Sequence, residues 1–318
     1  MKKIITIIAL AFIVGACGNK KDQSEKAEND SGNLEGTIKV DGSSTVFPIT
    51  EAVAEEFRSV QPNVKVTIGV SGTGGGFQKF SRGETNISDA SRPIKDKEIE
   101  ACAANNITYI ELEVAYDGLA VLVNPENDWV DNFTVEELKK IWEPAAQGTI
   151  MKWNQIRPEW PNEEIHLYGP GIASGTYDYF TEAVVGKSGS SRGDYTASED
   201  DHVLVQGIAG DKFSLGFFGL AYYTENQDKL KLIGVNNGTE VVKPTLETVS
   251  TGTYAPLSRP LFIYVNSTSV KSPEVVAFVH YYLENAGELS TDVGYIPLPT
   301  ELYTKQKEDF QAFVESNK

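Results

Sequence analysis

At 318 residues the chain is too long for one small core and fits about two domains, with the apolar (40%) and aromatic (10%) fractions of a globular protein. The formal charge of −17, from 28 Lys and Arg against 45 Asp and Glu, argues against a nucleic-acid partner, because no basic stripe is available to neutralise a phosphate backbone. A small anion stays admissible, since neutral N–H and O–H dipoles can hold it in a dry cleft while distant charges are screened beyond about 8 Å.

Lys2 and Lys3, followed by the apolar run from Ile4 to Val14, read as an export signal too short to span a bilayer comfortably. Cleavage is expected after residue 16, leaving Cys17 of Val14-Gly15-Ala16-Cys17 as a lipidated first residue, the arrangement of a bacterial lipobox. Removing residues 1–16 takes two lysines, so the mature formal charge becomes 26 − 45 = −19. Residues 17–35 are polar and nearly free of apolar side chains, which reads as a disordered tether. Cys102 is then the one cysteine left for the fold, so no intrachain disulfide is expected; it reads as a small buried apolar residue within the helical pattern Glu98 to Ala104.

The folded part opens with a strand at Thr37 to Val40. A helix from Phe47 to Val60 follows, with Pro48 in its first turn and Ile49, Val53, Phe57 and Val60 at core spacing. Val64 to Val70 is the next strand, Thr73 to Phe80 a helix, and Ile87 to Pro93 extended. Strands that feed helices through glycine turns predict an α/β fold, whose ligands sit at the carboxyl ends of the strands. A second unit starts near Tyr116, with a strand at Leu119 to Val123 and a helix opened by the capping box Thr134 to Glu137, carrying Leu138, Ile141 and Trp142. Ile165 to Tyr168 is a strand, and the helix from Tyr177 to Val185 stops at Gly186. Leu261 to Asn266 resembles Leu119 to Asn124 in composition and ending, so both are expected to mark passages between the units. Helices near Glu274 to Leu283 and Thr304 to Val314 then pack back on the first unit.

Three glycine-and-hydroxyl segments stand just before helical stretches: Gly42-Ser43-Ser44-Thr45, Ser71-Gly72-Thr73-Gly74-Gly75-Gly76 and Ser174-Gly175-Thr176. The first turn of a helix offers unpartnered N–H groups and a partial positive charge, glycine permits close approach, and Ser and Thr add donors. Two segments lie in the first unit and one in the second, so a cleft between the units would be lined from both sides by donors suited to a tetrahedral oxyanion. Ile87 to Pro93 adds charge: Asp89 is expected to accept from a protonated oxygen of the anion, and Arg92 to offer a bidentate clamp.

Catalytic patterns are thin. Gly186-Lys187-Ser188 has the tail of a P-loop, but Thr181 stands where its first glycine belongs, and neither Ser71 nor Ser174 sits in a Gly-x-Ser-x-Gly elbow. His166, His202 and His280 are too widely spaced for a metal pattern and read as strand, loop and helix residues; Glu199 to Asp201 reads as a solvated loop or a helix start. No cofactor or metal is expected. A secreted phosphoester hydrolase and an adhesive surface lipoprotein are the readings from other classes.

Asp41 to Ile49, Ser71 to Phe77, Ser88 to Ile94 and Ser174-Gly175-Thr176 resemble the phosphate-binding proteins of bacterial phosphate ABC importers, the PstS type; Phe133 to Trp142, Trp153-Asn154 and Ser214 to Phe218 are similar as well. The resemblance implies a periplasmic-binding-protein-like fold of type II, two α/β domains joined by a two-strand hinge with the ligand in the cleft. Domain I would comprise residues 36–115 plus 258–318 and domain II residues 116–257. It implies a non-enzymatic receptor, a monomer, that delivers inorganic phosphate to the permease and ATPase components of an importer at the periplasmic or outer side of the membrane. Sulfate or molybdate is the alternative cargo. Carried over by motif, the anion would contact Ser44, the Thr45 amide, Ser71, Gly72, Thr73, Gly74, Ser174, Gly175 and Thr176; Asp89, Ser91 and Arg92 of the Ile87 to Pro93 segment are added to the expected site. Two positions depart from familiar members, Pro170 where they carry arginine and Ser91 where they carry aspartate, and Arg92 and Asp89 are expected to supply the charge and the acceptor instead.

Overall fold

The computed structural model describes residues 34–172, 174–198 and 200–318. The expected signal peptide, the expected lipidation site Cys17, all of the expected tether before Leu34, and Glu199 lie outside the described residues.

In chain order the elements are β1 (Gly36–Gly42), α1 (Phe47–Val60), β2 (Val64–Val70), α2 (Gly72–Phe80), β3 (Ile87–Ala90), α3 (Asp96–Ala104) and β4 (Tyr109–Val123). Then come β5 (Asn132–Thr134), α4 (Val135–Trp142), β6 (His166–Pro170), α5 (Gly175–Phe180), β7 (Thr196–Ser198), α6 (Asp201–Ala209), β8 (Ser214–Gly219) and α7 (Leu220–Glu225). The chain closes with β9 (Lys231–Asn236), β10 (Val241–Val242), α8 (Leu246–Ser250), β11 (Ser258–Asn266), α9 (Pro273–Asp292) and α10 (Thr300–Ser316). Among these, no helix is long and apolar enough to cross a membrane.

The strands run in the order β2-β1-β3-β11-β4-β8-β6-β7. β2, β1 and β3 are mutually parallel, as are β8, β6 and β7, so each of these triplets is an α/β arrangement with its strands' carboxyl ends on one edge. Between them lie the antiparallel strands β11 and β4. β4 is 15 residues long and changes partner along its length: Tyr109 to Gly118 pair with β11, and Leu119 to Val123 pair with β8. One strand therefore leaves the first triplet and enters the second, and β11 returns beside it. Helices cover the first triplet from both faces. On one, α1 packs on α9 through Phe57 and Phe278, whose rings meet edge to face at 5.2 Å. On the other, Phe77 and Phe80 of α2 and Cys102 of α3 close over Phe262 and Tyr264. In the second triplet Phe180 of α5 stacks on Phe217 of β8 at 3.6 Å, with Trp142 of α4 against both.

Several local expectations meet their element. α1 spans Phe47 to Val60 as the spacing predicts, with Ile49, Val53 and Phe57 buried. Val60, expected in the core, is 53% exposed, because it lies in the last turn where the helix has run past the sheet. The Thr134 hydroxyl caps α4 by accepting from the Glu137 amide, and the Glu137 carboxylate accepts from the Thr134 amide. β3 ends at Ala90 rather than running on to Pro93; the chain bends at Ser91 and Arg92. His202 sits in α6, not in a loop, with Asp200 at the N-cap accepting from its amide at 2.9 Å. The helix expected at Tyr177 starts two residues earlier and widens into a π turn over Thr181 to Val185 before Gly186 ends it at φ 92°. The Thr181 hydroxyl donates back to the Tyr177 and Asp178 carbonyls, which spreads that turn.

Candidate functional site

The first glycine-and-hydroxyl segment leaves β1 at Gly42, where a Cβ would meet the Asp89 carbonyl oxygen at 2.1 Å. The close approach lets the Ser43 amide donate to that same carbonyl at 3.0 Å, which ties the loop to the end of β3. The Ser43 hydroxyl turns inward and accepts from the Thr45 amide at 3.2 Å. That amide, expected to face an anion, is thus already engaged. Ser44 points the other way, its hydroxyl 3.4 Å from a carboxylate oxygen of Asp178 on α5.

In the second segment Ser71, expected at the site, does not line the cavity and braces Asp41. Its hydroxyl donates to the Asp41 carboxylate, which Lys79 also approaches, so Asp41 is held below the ordinary carboxylate range although burial works in the opposite direction. With Ser71 so committed, no side chain caps α2, and the first-turn amides over Gly72, Thr73 and Gly74 stay open toward a cavity that these three residues line. α2 reaches this position because Gly76 touches β1: a Cβ there would lie 2.6 Å from the Gly42 Cα. Thr73 and Ser91 face each other across the cavity wall. The Thr73 hydroxyl oxygen accepts from the Ser91 amide at 3.2 Å and lies 3.1 Å from the Ser91 hydroxyl.

Asp89 is not where its sequence role required it. It is 1% exposed and does not line the cavity, because β3 turns its carboxylate to the α1 side, where Thr50 donates to it at 2.9 Å. Among the described residues its second oxygen has no hydrogen-bond partner. Burial, opposed by the Thr50 hydrogen bond and aided by the nearby Asp41 charge, pushes its pKa up to about 8. Arg92 does line the cavity, but its fork is spent on Glu98, with both nitrogens 2.9 Å from that carboxylate, and Nη1 also donates to the Pro93 carbonyl. The expected bidentate clamp is therefore closed on a protein carboxylate.

The third segment meets the first directly. A Cβ on Gly175 would stand 2.8 Å from the Thr45 Cα and 3.1 Å from its amide nitrogen. The Ser174 hydroxyl caps α5 by accepting from the Thr176 amide at 3.2 Å. Ser174, Gly175 and Thr176 thus abut the Ser44-Thr45 loop without lining the cavity themselves; the residues that α5 and its π turn send into it are Asp178, Tyr179 and Glu182. The spacing of four between Ser174, Asp178 and Glu182, one face of a helix, was the available signal for both acids.

The cavity between these elements has a volume of about 290 Å³, and its walls are mostly polar. That suits a small ion and its hydration, not a large apolar ligand. Lys95, Ser188 and Arg259 complete the lining. Arg259, at the start of β11, lies 214 residues from Thr45 in the chain, yet its Nη2 donates to the Thr45 hydroxyl at 3.1 Å. It also pairs with Asp117 of β4 and lies over the Tyr179 ring, its guanidinium carbon 3.6 Å from the centroid. No local pattern marks this arginine, because only the return of β11 beside β4 brings it to the loop.

Comparison with known proteins gives the family and the fold. The family model of the PBP superfamily domain matches residues 27–286. Protein SphX of a Synechocystis species is 53% identical over 275 residues, 86% of this chain and 82% of that protein. Phosphate-binding protein PstS of Staphylococcus saprophyticus is 40% identical over 306 residues, 95% of this chain and 91% of that one. The crystal structure of a possible phosphate binding protein from Planctomyces limnophilus superposes with a TM-score of 0.83 at 47% identity, covering 89% of this chain and 99% of that one. An ABC-type phosphate transport receptor from Vibrio cholerae shares the fold, with a TM-score of 0.63 at 24% identity over 82% of this chain and all of that one.

Proposed function

We propose, from the premise that this chain belongs to the PBP superfamily and within it to the PstS-type phosphate-binding proteins, that it is a receptor which binds inorganic phosphate and delivers it to an ABC-type permease. The observation that carries this reading is one small polar cavity on which the Ser44-Thr45 loop, the open end of α2, Ser91 and the face of α5 converge. Charge-assisted hydrogen bonds contribute about 1.5 to 3 kcal/mol each, and micromolar binding needs about 8 kcal/mol, so a handful of donors suffices without any covalent step. The ion is bound and released unchanged.

The division into domain I, residues 36–115 and 258–318, and domain II, residues 116–257, is supported by the partner change of β4 between Gly118 and Leu119. β4 and β11 then act as the hinge, and phosphate shifts the population toward the arrangement in which Gly175 meets Thr45. Signal-peptide cleavage and lipid on Cys17 keep the receptor, a monomer, at the outer side of the membrane.

Within the site, Ser44, the amides of Gly72, Thr73 and Gly74, the Ser91 hydroxyl and the cationic side of Arg92 face the ion. The role of proton acceptor passes from Asp89 to Asp178, which stands in the cavity 3.4 Å from the Ser44 hydroxyl. A carboxylate there accepts from the P–OH of hydrogen phosphate and repels sulfate, which has no proton to give. Calorimetric titration of residues 34–318 with phosphate, with sulfate as competitor, is expected to give micromolar or tighter phosphate binding; absence of heat overturns the reading. Asp178→Asn is expected to reduce the preference for phosphate over sulfate by about tenfold or more, one lost charged contact, in the same titration. An unchanged preference assigns selectivity elsewhere.

A further inference from the structure

Arg259 in the cavity wall touches the loop before α1, the strand β4 and the helix α5. Its Nη2 donates to the Thr45 hydroxyl in the loop before α1, its Nε and Nη2 lie 3.4 and 3.3 Å from the same Asp117 oxygen, and its plane lies against Tyr179 of α5. Asp117 and Arg259 stand opposite each other in the register of β4 and β11, so the pair bridges the two crossover strands. Both are enclosed, with side-chain exposures of 4% and 14%. The Asp117 carboxylate has no other cation near it among the described residues, and burial raises its pKa against the pull of Arg259. What remains of the guanidinium is Nη1. It makes no hydrogen bond among the described residues, and the nearest charge to it is the mostly exposed Glu182 carboxylate at 3.9 Å.

Arg92 offers a contrast. Both of its terminal nitrogens are bonded to Glu98, whereas Arg259 keeps one end of its fork toward the cavity while the other is anchored. A guanidinium held on one edge by a buried carboxylate and on one face by an aromatic ring loses little freedom when an anion takes the remaining donors.

We infer that Arg259 is a direct ligand of the anion, presented from the crossover strand β11 and aimed by Asp117, which acts as its positioning residue. The inference rests on the phosphate reading of the cavity. Under it, the ion accepts from Nη1 while Nη2 keeps the Thr45 hydroxyl, so that occupancy of the cavity is felt at the point where both crossover strands are joined. Lysine in this place keeps the charge but cannot serve Asp117, Thr45 and an anion from separate nitrogens, nor lie flat on Tyr179.

The test measures phosphate binding by calorimetry, and ligand-free thermal unfolding, for residues 34–318 and for two variants. Arg259→Lys is expected to weaken phosphate binding by about tenfold or more. Arg259→Gln alone would leave Asp117 buried without its cation, so the second variant combines Arg259→Gln with Asp117→Asn, a neutral pair that leaves no buried charge uncompensated. It is expected to unfold ligand-free close to the parent temperature and to bind phosphate about a hundredfold more weakly, or not at all. Parent-like phosphate affinity in the double variant, whatever its unfolding temperature, overturns the inference and leaves Arg259 as a strut between strands. Absence of phosphate binding by the unsubstituted protein overturns the phosphate reading itself and this inference with it.

Discussion

Gly175→Val is expected to lower phosphate affinity by about a hundredfold or more while leaving ligand-free unfolding nearly unchanged. The Gly175 Cα faces the backbone of Thr45, and a Cβ would stand 2.8 Å from the Thr45 Cα and 3.0 Å from its hydroxyl. Neither the Cα nor the amide of a buried loop residue yields as the tip of a long side chain does, and Thr45 is further held by Arg259 and the Ser43 hydroxyl. The two surfaces must therefore separate by several tenths of an ångström for one methyl and by more for valine. That separation moves Asp178 and the end of α5 away from Ser44 and α2. Gly175→Ala is the graded version, expected at about tenfold. Calorimetry for the affinity and calorimetric unfolding for the ligand-free fold separate a wedge from a folding defect. Full affinity in the valine variant would mean that phosphate is held without these surfaces meeting.

The second large effect concerns Asp89 and pH. Its pKa, 3.8 in an unperturbed chain, rises to about 8 in the fold because its burial disfavours the charged form more than the Thr50 hydrogen bond favours it. A carboxyl whose folded pKa lies above its unfolded one stabilises the fold fully at pH below about 4, and that contribution is lost as pH rises through about 8. Over that span the loss is on the order of several kcal/mol. Asp89→Asn keeps the shape and removes the titration. The urea midpoint of the unsubstituted protein, relative to Asp89→Asn, is therefore expected to fall steadily between pH 5 and pH 8.5 in phosphate-free buffer. Using the difference between the two proteins cancels the other carboxylates, among which Asp41 and Glu98 are shifted downward and act at lower pH. A difference that does not change with pH would show that Asp89 stays ionised in the fold, and would return it to consideration as a ligand.

The local code read well where local physics decides. Pro48 in the first turn, apolar spacing through Phe57 and the Thr134 to Glu137 box each specify a helix by contacts within a few residues, and each helix stands where expected. β2, with its run from Val64 to Val70, is likewise as expected. The short elements between Thr196 and Ser250 were not resolved from sequence. Strands of two to six residues and helices of five or six, such as β7, α7, β10 and α8, carry too few periods for spacing to speak. β4 was seen only over its apolar second half. Its first half alternates, with Glu111 and Glu113 between Ile110, Leu112 and Val114, and only pairing with β11 makes it one strand.

For the site, the residue types in the three glycine-and-hydroxyl segments were legible; the structure places residues of the first two along one cavity and brings the third against the first at Gly175 and Thr45. What each side chain does there was not legible. Ser71 donates its hydroxyl to Asp41, Asp89 is turned inward to Thr50 and Arg92 spends its fork on Glu98, while Ser174 caps its own helix through an acceptor lone pair and keeps its O–H. A donor serves mainly one acceptor, and Asp41, Thr50 and Glu98 come from other elements, so assignment waits for the fold. Arg259 and Asp117 are the extreme case: their meeting depends on two strands far apart in sequence lying side by side in one register. The amino-acid sequence by itself determined the longer helices, the α/β class and the donor types of the candidate site, all set by neighbours along the chain. The tertiary structure alone decided which donors remain free to meet that ligand, because that depends on groups brought together from a distance.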